Sequence, residues 1–146
     1  MRNVLIATVF LLLSACAAAP RYVEPSGAAK NLAHVYIYRT NVVFHSLNPE
    51  RPFFYIDDKE VAKLGTGAYV VTRVTPGKHT VSVKESIMFL PGTESGKLEM
   101  DFVANEKYYI RYSKELSGVT MVGNAAYTTG DSHLSLANRE SFEQLQ

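Results

Sequence analysis

From residue 33 to residue 137 the chain is written in short runs of alternating character, and this period-two pattern constrains the fold more than any other feature. AHVYIYR (33–39), PFFYID (52–57), AYVVTRV (68–74), KHTVSVKE (78–85), KLEMDFV (97–103), KYYIRYS (107–113) and HLSLA (133–137) bring apolar or aromatic side chains back at about every second position. That is the spacing of a strand with one face buried. EVAKL (60–64) and GVTMVG (118–123) are weaker runs of the same kind. Tyr, Phe, Val, Ile and Thr dominate them, the residues that suit a pleated surface. The spacers carry turn chemistry: Asp57-Asp58-Lys59, Gly65-Thr66-Gly67, Pro76-Gly77, Pro91-Gly92, Asn105-Glu106 and Gly130-Asp131. A helical period appears only at the end, where Asn138 stands as an N-cap, Glu140 falls in the first turn, and Phe142 and Leu145 lie one turn apart. The expectation is a mainly β domain over residues 32–146. It is an antiparallel β-sandwich, with a small barrel as the alternative, closed by a short C-terminal helix over a sheet edge.

The amino terminus follows different rules. MRNVLIATVFLLLSAC has a basic start at Arg2, an apolar run from Val4 to Leu13, and small residues Ser14 and Ala15 before Cys16. At about 1.5 Å per residue the run covers roughly 15 Å, half of the ~30 Å hydrocarbon layer, so it is too short to span a bilayer as a helix. It is long enough for the apolar region of a signal peptide. Leu13, Ser14, Ala15 and Cys16 resemble the bacterial lipobox. The resemblance implies that residues 1–15 are removed, that the Cys16 sulfur carries a diacylglyceryl group, and that the new amine is acylated as well. Several acyl chains at ~0.8 kcal/mol per buried methylene anchor a protein durably, where one chain is marginal. Ala17, where Asp signals inner-membrane retention in Gram-negative lipoproteins, implies the periplasmic face of the outer membrane. Residues 16–31 then form a flexible tether: AAAPRYVEPSGAAKN has three consecutive alanines, two prolines and a glycine, with no apolar period. A coil of that length has a root-mean-square span of roughly 20 Å.

Cys16 is the only cysteine, so the domain has no internal disulfide and no Cys-based zinc cluster. Fifteen Lys and Arg against fourteen Asp and Glu give +1, and removal of Arg2 leaves zero. Such a balance gives no electrostatic footprint for nucleic acid or for an anionic membrane.

Within the domain, Phe54 and Ile56 share a strand face ahead of an Asp turn and Val61, and Val74 leads through Pro76-Gly77 to His79, Val81 and Val83. This resembles the PEGA type of β-sandwich repeat, in which an aliphatic strand enters an Asp-Gly turn and a second hairpin turns on Pro-Gly. Asp58 stands where that pattern prefers Gly, which implies a longer or differently shaped first turn. With the lipobox, AHVYIYR and YYIRY, the chain resembles the small bacterial lipoproteins of domain-of-unknown-function family 2846 (DUF2846), over roughly Ala33 to Tyr112. The resemblance implies a fold and an envelope location, and brings no catalytic residues.

Chemistry-bearing residues are scattered. His34, His45, His79 and His133 include no pair at a metal-ligand spacing. His79 shares strand parity with Val81 and Val83, so it is expected at a core edge with one ring nitrogen bonded to backbone. Asp57 and Asp58 are adjacent and suit a turn better than paired acid and base. Gly65-Thr66-Gly67 lacks the Lys and helix of a phosphate loop, and no GxSxG elbow occurs. Tyr36, Tyr38, Tyr55 and Tyr109 are candidates for an aromatic face that stacks on a glycan or an envelope protein, the alternative being core. In SIMFLPGTESG (86–96), Ile87, Met88, Phe89 and Leu90 are expected as the buried end of a strand. If exposed, they form a docking or membrane-touching tip. The functional expectation is a non-enzymatic, lipid-anchored binding or structural module with no cofactor and no metal, its partners the membrane and an envelope protein or glycan. The alternatives are an envelope enzyme or metal-dependent factor using His and Asp, and a surface-exposed lipoprotein for cell contact.

Overall fold

A computed structural model of the chain describes residues 31–41, 48 and 50–145. Leu13, Ser14, Ala15, Cys16, the tether as far as residue 30, and His45 lie outside the described residues.

Among the described residues ten strands and one helix follow in order: β1 (Ala33–Arg39), β2 (Phe53–Ile56), β3 (Lys59–Lys63), β4 (Tyr69–Val74), β5 (Gly77–Ile87), β6 (Leu90–Phe102), β7 (Lys107–Lys114), β8 (Gly118–Val122), β9 (Ala125–Thr129), β10 (Ser132–Ala137) and α1 (Arg139–Glu143). They form a four-stranded sheet in the order β10-β7-β1-β4, a second in the order β3-β2-β5-β6, and the separate hairpin β8-β9. The expected mainly β sandwich with a short terminal helix is what forms. The pairing is not wholly antiparallel, however, because β1 and β7 run parallel, with Val35 beside Tyr108 and Ile37 beside Ile110. A parallel neighbour needs a long crossover, and residues 40–106 supply it by building the whole second sheet.

The alternation seen in sequence decides what each face meets. Ala33, Val35 and Ile37 of β1 point into the sandwich with Ile110 and Tyr112 of β7. There they meet Phe54 and Ile56 of β2, Val81 and Val83 of β5, and Phe102 of β6. The intervening Tyr36 and Tyr38 point the other way, so β1 is buried along its whole length. Gly96 marks the edge where the sheets close on each other; a Cβ there would stand 3.0 Å from Val83 and 3.5 Å from Leu134.

Two turns differ from expectation. Asp57 and Asp58 both adopt left-handed backbone, φ 49° and 62°. Asp57 and Asp58 therefore make a tight two-residue hairpin turn, so of the two expectations, a longer turn or a differently shaped one, the longer turn is not what forms. Pro76-Gly77 joins no hairpin: β4 pairs with β1 and β5 with β2 and β6. The dipeptide is a corner between sheets, taken with Gly77 at φ 122°.

Candidate functional site

The sandwich has two poles. Chain entering at Asn31 and Leu32 is fastened at one of them, where the Asn105 N–H donates to the Leu32 carbonyl at 3.0 Å and the Asn31 N–H to Asn105 Oδ1 at 3.3 Å. The start of β5 and the end of β6 meet at this near pole. At the far pole, the end of β5 reaches the end of β7 and the start of β10.

Asp57 and His79 come together at the near pole. His79 Nδ1 lies 2.5 Å from Asp57 Oδ2, and Nε2 lies 2.9 Å from the Thr75 carbonyl and 3.3 Å from Thr75 Oγ1. The line from Asp through His to Thr has the outline of a nucleophilic triad, but Nε2 lies nearer the Thr75 carbonyl than the Thr75 hydroxyl, so the ring faces backbone at that nitrogen. Asp57 also accepts from the Thr80 N–H at 3.0 Å. That bond and the one to His79 hold its carboxyl below the usual range. The ring lies against Phe102, centroids 5.7 Å apart. A hollow of about 390 Å³, lined by Lys78, Thr80, Glu99 and Asp101, opens beside the pair. Both side chains are spent on tying the β2-β3 turn to β5. His79 is thus the core-edge histidine the strand parity indicated. His34 shares strand parity with Tyr36 and Tyr38, on the opposite face of the first sheet from His79, and His133 stands at the far pole. The three described histidines, His34, His79 and His133, do not converge, and among the described residues no group of three His, Cys, Asp or Glu could hold a metal.

The far pole contains a second polar cluster. Glu85 follows Val81 and Val83 at the inward parity, so its carboxylate projects between the sheets. Oε1 accepts from Tyr112 at 2.6 Å, Ser132 at 2.7 Å and Ser95 at 3.2 Å, and Oε2 accepts from Lys114 Nζ at 3.0 Å. Burial pushes this carboxyl up, but the hydrogen bonds and the Lys114 charge outweigh it and hold the group below its usual range. Burial and the neighbouring carboxylate push the Tyr112 phenol up. Arg39, also inward by parity, is buried, donates from Nη1 to the Leu64 carbonyl at 3.2 Å, and stands 5.9 Å from the Tyr112 ring centroid. Sequence reasoning missed this cluster. The available signal was a charged residue in phase with the apolar side of a strand, at Arg39 and at Glu85.

The candidate aromatic face is not exposed. Tyr36, Tyr38 and Tyr109 are buried under α1, which lies over the face of the sheet and not its edge. Tyr36 stacks on Tyr109 at 4.8 Å, and Phe142 meets Tyr36, Tyr38, Tyr69 and Tyr109 at 5.1–5.5 Å. Tyr55 is buried on the second sheet, with Lys84 Nζ 4.8 Å above its ring. Strand propensity put these rings in the sheet, and Phe142 supplied a cover that the tyrosine positions alone did not reveal.

Exposed apolar surface gathers instead at the far pole. Ile87, Met88, Phe89 and Leu90 are 57–82% exposed. They are not the buried strand end expected of them: β5 ends at Ile87, Met88 and Phe89 turn, and β6 begins at Leu90. Pro91-Gly92, expected as the turn, lies inside β6. Hairpin β8-β9 springs from the same pole, at a base closed by the Glu115 N–H donating to the Asp131 carbonyl at 2.9 Å. Near its end Met121 and Val122 are exposed. This pole thus carries two apolar hairpin ends over a fastened polar cluster.

The family model described as "Protein of unknown function (DUF2846)" matches residues 29–126, from ahead of β1 into β9. No curated protein matches the chain.

Proposed function

The chain belongs to the DUF2846 family, and on that footing we propose that it is a lipid-anchored envelope protein, held by an acylated Cys16, whose β domain binds without catalysing. What carries the reading is the distribution of side chains between the poles. The Asp57–His79 and Glu85–Lys114 groups, the most reactive chemistry in the domain, have their donors and acceptors spent on fastening strands. Most of the large exposed apolar residues, by contrast, collect at the pole opposite the one where the chain enters, Val103 and Leu136 being the exceptions among the described residues. A tethered module anchored at one end and docking through the other has this arrangement. The lipobox Leu13-Ser14-Ala15-Cys16 supports the anchor, and Ala17 supports the outer membrane as its place.

Cys16→Ala tests the anchor. Fatty-acid labelling of the variant is expected to vanish and the protein to leave the membrane fraction; labelling that persists overturns the anchored reading. Alanine in place of Met88, Phe89 and Met121 tests the docking pole. Envelope crosslinks made by the wild type are expected to disappear while the fold is kept, and an unchanged crosslink pattern overturns docking at that pole.

A further inference from the structure

We infer that the β5-β6 hairpin end is a membrane-contact element, which sinks Met88 and Phe89 into an anionic phospholipid surface and seats a headgroup phosphate beside Phe89. This deepens the docking role proposed for the far pole and rests on it.

The turn itself points to a function outside the fold. Met88 and Phe89 both have left-handed backbone, φ 52° and 65°, the geometry of a two-residue hairpin turn that Asn-Gly fits with least strain. Bulky side chains are penalised there. At the other such turn the chain uses two aspartates, which tolerate it. Interior packing does not account for Met and Phe, since Met88 is 82% and Phe89 60% exposed. The turn is also held in place: the Met88 N–H donates to Glu50 Oε1 at 2.8 Å. A strained, fastened and apolar hairpin end suggests a role that requires it.

Shape and charge select the partner. The hairpin end is convex and four large apolar residues long, so it is buried most readily by entering a fluid apolar medium; Met121 and Val122 add a second apolar end from the same pole. Directly behind Phe89 a hollow of about 330 Å³ is lined by Arg51, Phe53, Lys63 and Ser86. Its lining thus offers two cations and a hydroxyl, while the Glu50 carboxylate stands at the turn itself, taken up by the Met88 N–H. Lys63 Nζ rests 4.4 Å from the Phe53 ring centroid, which holds the ammonium over the sheet. Apolar residues at the end with cations one layer behind match a bilayer, whose anionic phosphates lie above its acyl chains. The tether permits the contact. Residues 17–31 reach at most roughly 50 Å when extended, against roughly 33 Å for β5 from pole to pole. The far pole can therefore turn back to the bilayer that holds the anchor.

The protein has no tryptophan, so Phe89→Trp makes a single local reporter. The full chain with Cys16→Ser is mixed with vesicles of phosphatidylglycerol and phosphatidylethanolamine, and separately with phosphatidylcholine vesicles. Emission from position 89 is expected to shift to the blue and to be quenched by brominated acyl chains on the anionic vesicles, with half-saturation at least tenfold weaker on the neutral ones. Arg51→Gln with Lys63→Gln is expected to weaken the anionic response at least fivefold. Met88→Trp repeats the measurement should the first variant fold poorly. Val103→Trp, exposed at the near pole, is expected to keep its emission. Because the N-terminal apolar run can itself hold the chain on vesicles, unshifted emission at 89 in vesicle-bound protein overturns the inference, as does a shift at 103 alone. A photocrosslinker at position 88 that captures protein and no lipid in intact cells also overturns it, and leaves docking at the far pole standing. The Cys16→Ser background makes every readout independent of whether the anchor is acylated.

Discussion

Glu85 shows how one side chain joins distant parts of this fold. Its carboxylate collects donors from positions 95, 112, 114 and 132, on β6, β7 and β10. Glu85→Ala leaves the Lys114 ammonium, 9% exposed, without its counter-ion, and leaves the hydroxyls of Tyr112 and Ser132 without their acceptor. Removing one partner of such a pair costs about 3 kcal/mol, and the midpoint of urea unfolding is expected to fall accordingly. The pH dependence has a definite sign. A carboxyl held below its ordinary 4.5 in the folded state contributes its full stability above 4.5 and loses it as the pH falls through the lower folded value. Wild-type stability is expected to decline on acidification below about pH 4.5, and Glu85→Gln to decline less steeply over the same window. Asp57 is also held low in the fold and adds to the loss, but its side chain is 47% exposed and screening makes its share small.

At the scale of elements, α1 matters beyond its five residues. A helix this short is not stable alone. It stands because Asn138 Oδ1 accepts from the Ser141 N–H at 2.8 Å and because Phe142 enters a ring of tyrosines. Asn138→Ala is expected to cost about 1 kcal/mol and Phe142→Ala about 3–4 kcal/mol. In the latter, increased quenching of tyrosine fluorescence by acrylamide would report Tyr36, Tyr38 and Tyr109 opening to solvent. Intact quenching protection would show that the tyrosines do not need the helix. The cap and Phe142 were legible in sequence, since both are local signals. So were most strands, because alternation survives in any sheet whose faces differ. β9 was not: Ala125-Ala126-Tyr127-Thr128-Thr129 has no apolar alternation, and its strand forms because β8 offers it a ladder. The parallel direction of β1 and β7 was equally hidden, because period two records which face a residue takes and says nothing of which neighbour lies beside it or which way it runs. The SIMFL run misled for a related reason. Its apolarity suggested burial, while the turn inside it rests on backbone angles that Met and Phe seldom adopt.

For the molecule as a whole, stability and docking pull in opposite directions at one hairpin end. The sandwich closes its interior with Phe54, Val81, Val83, Ile110 and Tyr112, and needs nothing from Met88 or Phe89 to do so. If these residues serve an external surface, the fold bears their backbone strain without return. Met88→Asn combined with Phe89→Gly installs the pair that a left-handed turn prefers. Relief at two positions, at about 1 kcal/mol each, predicts a variant stabler by up to about 2 kcal/mol. Its urea midpoint is expected to rise, its β circular dichroism to stay the same, and its binding to anionic vesicles to fall to that of the N-terminal segment alone. Lowered stability would mean that Met88 and Phe89 pack more firmly than their exposure implies, and the case for an outward function would lose its thermodynamic ground. Raised stability with undiminished vesicle binding would separate the two properties, and place the lipid contact on Met121 and Val122 at the neighbouring hairpin.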